Sequence, residues 1–320
     1  MKVIRLLVII LAGTFMFSIG EVSWAEQKKV LFVDSYHEGY AWSDTEVAGA
    51  KAVLINKADF KVVRMDTKRN PGEEFKKAAA EKVKAEIQIW KPDVVILADD
   101  NAAKYVYVPF YKESSIPFVS CGVNWTFAKY GIPSNNATGV QEVSVINPLL
   151  DQLKKFAKGG RYGFLACNNE SDRIESEEIA KRANIVFEAI KLVNTFQEWK
   201  AAFLELQGQT DMIFCQNNAG IQDWDALEAI KFVRENTKVP TGSAHDFMAP
   251  YVFTCYAKLG EEQGEVAGNM ALDILNGKPV KDIPPTVNKK GQVYLNLAIA
   301  KKLGIQLSLE SIKAAKVIKE

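Results

Sequence analysis

The fold class is decided by the stretch Val30-Leu-Phe-Val-Asp-Ser-Tyr-His-Glu-Gly-Tyr-Ala-Trp-Ser-Asp44. It opens with an apolar run, which predicts a buried strand. A polar and aromatic loop follows, and Ser43 with Glu46 then predicts a capping box at the start of a helix that extends to about Ile55. In an open α/β sheet, ligands bind at the loops that follow the carboxyl ends of the strands. We therefore expect this loop to form half of a binding site.

Residues 1–25 have the pattern of a secretory signal peptide. Lys2 and Arg5 supply positive charge, the stretch from Leu6 to Ile19 is mostly apolar, and Ser23-Trp24-Ala25 places small residues at the positions that a signal peptidase reads. The apolar stretch is shorter than the roughly 20 residues that a membrane-spanning helix needs. We expect cleavage after Ala25 and export to the periplasm, without a lipid anchor because no cysteine lies near the cleavage point.

The remaining chain carries no net charge. The sequence has 40 basic and 39 acidic residues, and the first 25 residues hold Lys2, Arg5 and Glu21, so 38 of each sign remain. It shows no basic tract and no later apolar segment long enough to cross a membrane. Nucleic acid is therefore not expected as a partner.

From residue 29 onward, strand patterns alternate with helix patterns. Helix starts are predicted at Asn70-Pro71, at Asn147-Pro148, and at Thr195 with Glu198. Such alternation implies right-handed βαβ units and parallel sheets. Residues 126–144 are rich in Gly, Pro and Asn and interrupt the alternation. We therefore expect an α/β protein with two Rossmann-like lobes, each built on a parallel sheet of four or five strands.

No catalytic motif stands out. The sequence lacks a nucleophile elbow, a phosphate-binding loop, a dinucleotide fingerprint and an H-E-x-x-H helix. Ser35 and His37 are close in sequence, but neighbouring residues at a strand end point to different sides and rarely form a triad. Asp99-Asp100 could bind a cation, yet an acidic pair before a helix more often interacts with the helix dipole. We expect no enzyme, no metal site and no cofactor.

The four cysteines are spaced too widely for a zinc site or a small disulfide scaffold. Cys167 and Cys215 fall near the ends of strands that could be neighbours, and an exported chain can oxidise them. Bridges between adjacent parallel strands are uncommon geometry, so buried free thiols are favoured over a disulfide.

Polar clusters follow nearly every predicted strand. These residues also cap helices and shape turns, so a single cluster says little, and Trp42 and Trp125 could simply pack at a sheet edge. Several clusters together with aromatic faces favour a small polar organic ligand. The clusters are Ser35-Tyr36-His37, Asp66-Thr67, Asp99-Asp100-Asn101 and Asn124-Trp125 in the first half, and Asn168-Asn169, Gln216-Asn217-Asn218 and His245-Asp246 in the second.

Several motifs in order resemble a known family. They are VLFVDSYHEGYAWSD from Val30, MDTKR from Met65, KPDVVILADDNAAKYV from Lys91, PFVSCGVNW from Pro117 and YLNLAIAKKLGIQL from Tyr294. Across residues 28–310 the chain resembles the type I periplasmic binding proteins. More narrowly, it is similar to substrate-binding proteins of ABC importers in the group that includes tryptophan and phenylalanine binders.

The resemblance implies a bilobed clamp with three hinge crossings, near residues 139, 257 and 283. The N-terminal lobe would contain residues 26–139 and 257–283, and the C-terminal lobe residues 140–256 and 284–320. Ligand would bind in the interlobe cleft, and hinge closure would present the closed form to an ABC permease in the membrane. We expect a monomer.

The resemblance also implies which loops contact the ligand. The expected contacts are Ser35, Tyr36, Asp100, Asn101, Asn124 and Trp125 from the first lobe, and Asn168, Asn169, Gln216, Asn217, His245 and Asp246 from the second. Trp42 joins this set as an aromatic neighbour of the first loop.

The chemistry of these side chains favours an amino acid or a related nitrogenous metabolite. Asp100 and Asp246 could take an ammonium group, while the amides, Ser35 and helix N-termini could take a carboxylate. Tyr36, Trp42 and Trp125 could hold a flat or apolar body. A sugar or nucleoside remains the alternative, because it uses the same groups.

Three functions compete at this level. The first is a solute receptor for an importer, and the second is a periplasmic sensor that presents the same clamp to a membrane signalling protein. The third is a secreted hydrolase, which the missing nucleophile and metal motifs disfavour. Binding and closure serve the first two equally, so the sequence does not separate them.

Overall fold

The computed structural model describes residues 27–319, and the predicted signal peptide lies outside the described residues. Two sheets organise this part of the chain. The first contains β1 (Lys29–Asp34), β2 (Asp59–Arg64), β3 (Val94–Ala98), β4 (Phe118–Asn124), β5 (Ala137–Glu142) and β11 (Thr286–Val287). The second contains β6 (Tyr162–Cys167), β7 (Phe187–Val193), β8 (Met212–Cys215), β9 (Thr241–Ser243), β10 (Thr254–Lys258), β12 (Gly291–Asn296) and β13 (Lys316–Ile318).

Helices connect the strands and cover both sheets. They are α1 (Ala41–Leu54), α2 (Glu73–Trp90), α3 (Asp99–Ala102), α4 (Val108–Phe110), α5 (Ile146–Lys154), α6 (Glu170–Ala183), α7 (Phe196–Gln209), α8 (Ala226–Asn236), α9 (Gly260–Leu275), α10 (Leu297–Lys302) and α11 (Leu309–Ala314). A π-helical turn at Ala103–Tyr107 joins α3 to α4. Between residues 27 and 319, none of the helices combines the length and the apolar character needed to span a bilayer.

The two sheets have the same core topology. The first runs β2-β1-β3-β4-β5-β11 and the second runs β7-β6-β8-β9-β10-β12-β13. In each sheet the strand order reverses next to the first strand, between β1 and β3 and between β6 and β8, as in a doubly wound fold. The predicted α/β class with two parallel-stranded sheets is confirmed, although the sheets have six and seven strands instead of four or five.

Two strands of the second sheet, β12 and β13, run against the expected parallel direction, because β13 pairs parallel with β12. β12 pairs antiparallel with β10, and Gly291 lies opposite Lys258. β10 ends where the chain leaves the second sheet, and β12 begins where the chain returns from the first sheet after β11. Because both crossings lie at the same edge, the returning strand must run away from that edge. The sequence pattern of a six-residue strand does not encode this direction.

Sheet membership places the passages between sheets after Glu142, after Lys258 and after Val287. We expected crossings near residues 139, 257 and 283, and those lobe boundaries stay predictions. The strand pairing of the first sheet extends past the crossings expected near residues 139 and 283. Glu142 still pairs with Asn124, and Thr286 still pairs with Val140.

The structure confirms one of the predicted capping boxes and contradicts the other. The capping box of Thr195 and Glu198 is present at the start of α7. The capping box predicted for Ser43 and Glu46 is wrong, because α1 already begins at Ala41 and the Ser43 hydroxyl donates to Asp34 Oδ1 at 2.8 Å. Burial of Glu46 against the sheet explains the failure, since a capping side chain would have to turn back to the helix end.

Two other predicted helix starts are also displaced. Asn70 does not cap α2, which begins at Glu73, and its amide donates instead to the Asp66 carbonyl oxygen at 3.1 Å. α5 begins at Ile146, one residue before the Asn147 that was predicted to cap it.

The four cysteines, Cys121, Cys167, Cys215 and Cys255, are buried and free. The prediction of buried thiols is therefore confirmed.

Glycines allow α1 and α9 to pack at very short range on the first sheet. A Cβ atom at Gly264 would overlap the carbonyl oxygen of Glu46, and one at Gly49 would overlap the carbonyl oxygen of Glu261. Both clashes are with backbone, which no side-chain rotation relieves. This contact fixes α9, a late segment of the chain, to the first helix of the first lobe.

Gly264→Ala should therefore destabilise the protein by about 1–3 kcal/mol, because the methyl group forces α1 and α9 apart. The measurement is urea unfolding followed by tryptophan fluorescence. Gly208→Ala in α7 is the matched control, since a Cβ there meets no atom within 4 Å. In a helix this control should be neutral or stabilising by up to about 1 kcal/mol. Equal midpoints for the two variants would contradict the close packing of α1 on α9.

Candidate functional site

The predicted polar clusters lie at the switch points of the two sheets. The loops after β1 and β3 carry Ser35, Tyr36 and Asp99-Asp100-Asn101, and the loops after β6 and β8 carry Asn168-Asn169 and Gln216-Asn217. In open α/β sheets these are the positions where ligands bind. The structure therefore brings most of the predicted residues to two sheet edges.

Ser35 lies inside the first lobe and does not line an open surface. Its hydroxyl donates to the Ala98 carbonyl oxygen at 2.6 Å and accepts from the Ala102 amide at 2.8 Å. It therefore holds the start of α3 against β1. Asn101 is tied into the same edge, because its amide donates to the Thr67 hydroxyl at 2.8 Å. Both side chains therefore hold the loops of the site in position.

Asp100 already has partners of its own. Its Oδ1 lies 2.8 Å from Lys129 Nζ and accepts the Tyr130 hydroxyl at 2.6 Å. The exposed Asn124 donates its side-chain amide to Asp100 Oδ2 at 3.3 Å. Since Lys129 offsets its charge, Asp100 is a weaker candidate for a ligand ammonium group than the sequence suggested.

The two tryptophans face different surroundings. Trp42 lies in α1 and its ring packs against Gly260 at the start of α9. Trp125 adopts a left-handed backbone with φ of 60°, and the Arg182 guanidinium from α6 lies 5.6 Å from its ring centre. Trp42 thus contacts the second crossing, and Trp125 contacts a helix of the other lobe.

In the second lobe, two predicted amides contact Asp172. Asn169 caps α6 by accepting from the Asp172 amide at 2.8 Å, and its own amide donates to Asp172 Oδ2 at 2.6 Å. Asn217 donates to the same oxygen at 3.3 Å. Asn168 is exposed and donates to Asn194 at 3.1 Å. Polar groups of the loops after β6 and β8 therefore converge on one carboxyl group.

Two further predicted residues differ sharply in exposure. Gln216 is buried, and its Oε1 accepts from the Ala244 amide at 3.0 Å, which ties the end of β8 to the end of β9. Asp246 is exposed and accepts from the Phe247 amide at 2.8 Å. Gln216 positions the loop, while Asp246 remains open to solvent.

A charged network at the crossings was missed by sequence reasoning. Glu142 at the end of β5 forms an ion pair with Lys258 at the end of β10. Next to it, Glu175 of α6 accepts from the Ser144 hydroxyl at 2.7 Å and lies 3.1 Å from His245 Nε2. The sequence marked His245 as polar, but its partner is 70 residues away. No local sequence pattern predicts such a pairing.

This arrangement differs from a catalytic triad. The Glu175 carboxylate lies in the middle and accepts from both the Ser144 hydroxyl and the His245 imidazole. In a triad the imidazole lies in the middle, so that it can take the proton of the hydroxyl. The Glu175 carboxylate therefore ties Ser144, just after the first crossing, to His245 after β9. Within residues 27–319, no group of three or more His, Cys, Asp or Glu side chains is arranged to hold a metal ion.

The pKa values of two acids in α6, Glu175 and Asp172, are shifted in opposite directions. Burial acts to raise the pKa of Glu175, but His245, Lys258 and the Ser144 hydroxyl outweigh it and lower that pKa to about 2. Burial and the neighbouring Glu175 carboxylate raise the pKa of Asp172 to about 7. Glu175 is therefore ionised at neutral pH, while the Asp172 carboxyl group is partly protonated at the same pH.

A second buried acidic pair lies under the first switch point. Glu46 and Asp99 are fully or almost fully buried, and both carboxyl groups lie beside Gly122, where a Cβ would come 2.5 Å from Glu46 Oε1 and 3.1 Å from Asp99 Oδ1. Burial raises the pKa of each carboxyl group well above its usual range. Asp99 also has a left-handed φ of 67°. Sequence reasoning treated Asp99 as a helix partner and did not recognise Glu46 as its neighbour.

Glu175→Gln should lower the free energy of unfolding at neutral pH by about 3 kcal/mol, the equivalent of its lowered pKa. A carboxyl group with a lowered pKa stabilises the fold fully above its unfolded pKa, near 4.5, and loses this effect as the pH falls toward about 2. The gap between variant and wild type should therefore close over that range in chemical unfolding experiments.

Glu178→Gln in the same helix is the control for this prediction. Glu178 forms a partly exposed ion pair with Arg182 at 3.2 Å, and such pairs contribute about 0–1 kcal/mol. A Glu175→Gln effect as small as the control effect would show that the network does not stabilise the fold.

Comparisons with known proteins agree with this geometry. A family model described as ABC transporter substrate binding protein matches residues 55–319. A tyrosine-binding protein of Clostridioides difficile (strain R20291) is 26% identical over 192 residues, which is 58% of this chain and 54% of that protein. The chain thus spans about half the length of this curated relative.

Solved structures share the fold at low sequence identity. The ligand-free, open structure of a substrate binding protein with adhesive properties from Clostridium difficile has a TM-score of 0.71 at 18% identity, and the match covers 91% of this chain and 99% of that one. An ABC domain in complex with L-Trp from Streptococcus pneumonia has a TM-score of 0.57 at 17% identity, with 91% and 100% covered. The fold is that of the type I periplasmic binding proteins, and because the family match covers most of the chain, this protein belongs to the family of ABC transporter substrate-binding proteins.

Proposed function

We propose that the protein is the extracytoplasmic solute-binding component of an ABC importer and that its ligand is an amino acid or a close relative. The observation that carries this proposal is the meeting of the two carboxyl edges. The Glu142–Lys258 pair joins the end of β5 to the end of β10, which supports a cleft with the switch points of both sheets on its two sides. A cleft between two such edges is where a doubly wound fold binds small molecules.

The side chains at this cleft suit a zwitterion. Acidic groups such as Asp246 and Asp172 can attract an ammonium group, and amides such as Asn168 can donate to a carboxylate. Two similar proteins, by their names, bind tyrosine and L-Trp. In the proposed cycle the protein acts as a monomer without cofactor, metal or catalytic residue, and hinge motion at the crossings closes the lobes on the ligand.

A thermal-shift panel of amino acids, sugars and nucleosides tests the ligand class. A ligand present at about 100 times its Kd should stabilise the protein by roughly 2.7 kcal/mol. We expect L-tyrosine, L-tryptophan or another amino acid to raise the melting temperature. A rise with sugars alone would contradict the amino-acid assignment, and no rise in any class would contradict binding of small metabolites.

Co-purification tests the importer. Mature protein carrying an affinity tag is cross-linked to membranes of its own cells, with and without the ligand found in the panel, and the captured proteins are identified. An ABC permease, captured more strongly with ligand, is the expected result. A membrane kinase or cyclase captured in its place would indicate a sensor.

A further inference from the structure

Two tyrosine rings of the first loop surround a lysine ammonium group. Tyr36 and Tyr40 form an edge-to-face pair with ring centres 5.2 Å apart. Lys68, from the loop after β2, places Nζ 5.1 Å from the Tyr36 ring and 5.0 Å from the Tyr40 ring. Lys68 is exposed, and among residues 27–319 it has these ring contacts and no carboxylate partner. Ring faces hold an exposed cation only weakly.

The backbone beneath these rings is held in place by the neighbouring loop. The Tyr36 amide donates to Asp34 Oδ1 at 2.8 Å, and its carbonyl oxygen accepts from the Asp66 amide at 2.7 Å. The Thr67 amide donates to the Ser35 carbonyl oxygen at 3.0 Å. The ring pair is therefore positioned before any ligand arrives, which reduces the entropy cost of binding.

Acidic side chains surround the Tyr36 hydroxyl. Asp99 is the main cause that raises the pKa of Tyr36, followed by burial and then Glu142. Glu142 and Asp100 already have lysine partners, Lys258 and Lys129. Asp99, when ionised, therefore favours a cation over an anion at the rings.

Asp99 is half of a buried acidic pair close to this loop. It is 3% exposed, its side chain hydrogen-bonds to that of the buried Glu46, and burial raises the pKa of both carboxyl groups. A positively charged group close to such a pair favours the ionised form of Asp99. Asp99 therefore suits a cation at the rings better than an anion.

We propose that Tyr36 and Tyr40 form the subsite for the ammonium group of the ligand, with Asp99 behind it, and that Lys68 leaves the rings as the ligand enters. This inference rests on the proposed function, because it names the end of an amino-acid-like ligand that the first lobe receives. Contact between a cation and a ring strengthens when water is excluded. A ligand ammonium enclosed by lobe closure therefore displaces the exposed Lys68 ammonium.

A different role for Lys68, pairing with the ligand carboxylate, would change affinity in the opposite direction. If Lys68 paired with a ligand carboxylate, its removal would weaken binding. If Lys68 competes with the ligand ammonium, its removal frees the competent site and tightens binding. Whether removal of the Lys68 side chain tightens or weakens binding therefore distinguishes the two arrangements.

Calorimetry on the mature protein first compares three kinds of probe. They are L-tyrosine and L-tryptophan, the amines tyramine and tryptamine, and the corresponding arylpropionates, which lack the amino group. We expect the amino acids and the amines to bind and the arylpropionates to bind at least tenfold more weakly than the amines. Arylpropionates that bind as tightly as the amines would overturn the ammonium subsite and leave the proposed function standing. No binding by any standard amino acid would instead contradict the proposed function, and the subsite with it.

Variants then test the residues with the tightest-binding amine or amino acid. Lys68→Ala should tighten binding roughly two- to sixfold, and Tyr40→Leu should weaken it roughly two- to thirtyfold, the range of cation–π contacts. Asp99→Asn keeps the shape, removes the charge, and should also weaken binding.

Lys84→Ala is the matched control. Its ammonium lies 4.3 Å from the Phe110 ring on the same lobe, outside the Tyr36–Tyr40 loop, so affinity should not change. Weaker binding by Lys68→Ala, with Lys84→Ala unchanged, would overturn the proposal. Melting temperatures of all variants show that each is folded, and because Lys68 is exposed, its removal is not expected to unfold the protein.

Discussion

The structure depends on the way its three crossings are fastened to one another. Asn288, after β11, donates its amide to the Val143 carbonyl oxygen at 3.0 Å and accepts from the Val143 amide at 2.8 Å. Glu142 pairs with Lys258 at the second crossing. The third passage is thereby attached to the first by two buried hydrogen bonds, and the first to the second by an ion pair. Because of these contacts the carboxyl ends of β5 and β10 lie next to each other, which brings together the ends of the two sheets.

The same edge stores backbone strain in the first lobe. Asp66, Asp99 and Trp125 follow β2, β3 and β4, and each has a positive φ, between 55° and 67°. Residues other than glycine rarely adopt this conformation, and they persist in it where surrounding structure imposes it, often at functional sites. Here hydrogen bonds impose it, since the Asp66 amide binds the Tyr36 carbonyl oxygen and the Trp125 amide binds the Glu142 carbonyl oxygen.

Charge is distributed unevenly between the lobes although the mature chain is expected to be neutral. The first lobe buries Glu46 and Asp99 without a cation, while the second lobe places Lys258 and His245 next to Glu175. The buried acids of the two lobes therefore differ. In the first lobe burial raises the pKa of both carboxyl groups, while in the second His245 and Lys258 lower the pKa of Glu175 and keep it ionised.

The sequence by itself determined the alternation of strands and helices, the two sheets and the polar clusters, because hydrophobic periodicity and capping residues act over a few neighbours. The Thr195 capping box was read correctly for that reason. Only the tertiary structure decided that Ser35 is buried, that Lys129 partners Asp100, and that Glu175 joins His245. Ion pairs and burial depend on residues brought together by crossings and helix packing, such as that of α1 on α9. No local pattern contains this information, so the sequence marks the loops of the site and the fold selects which of their side chains remain available to a ligand.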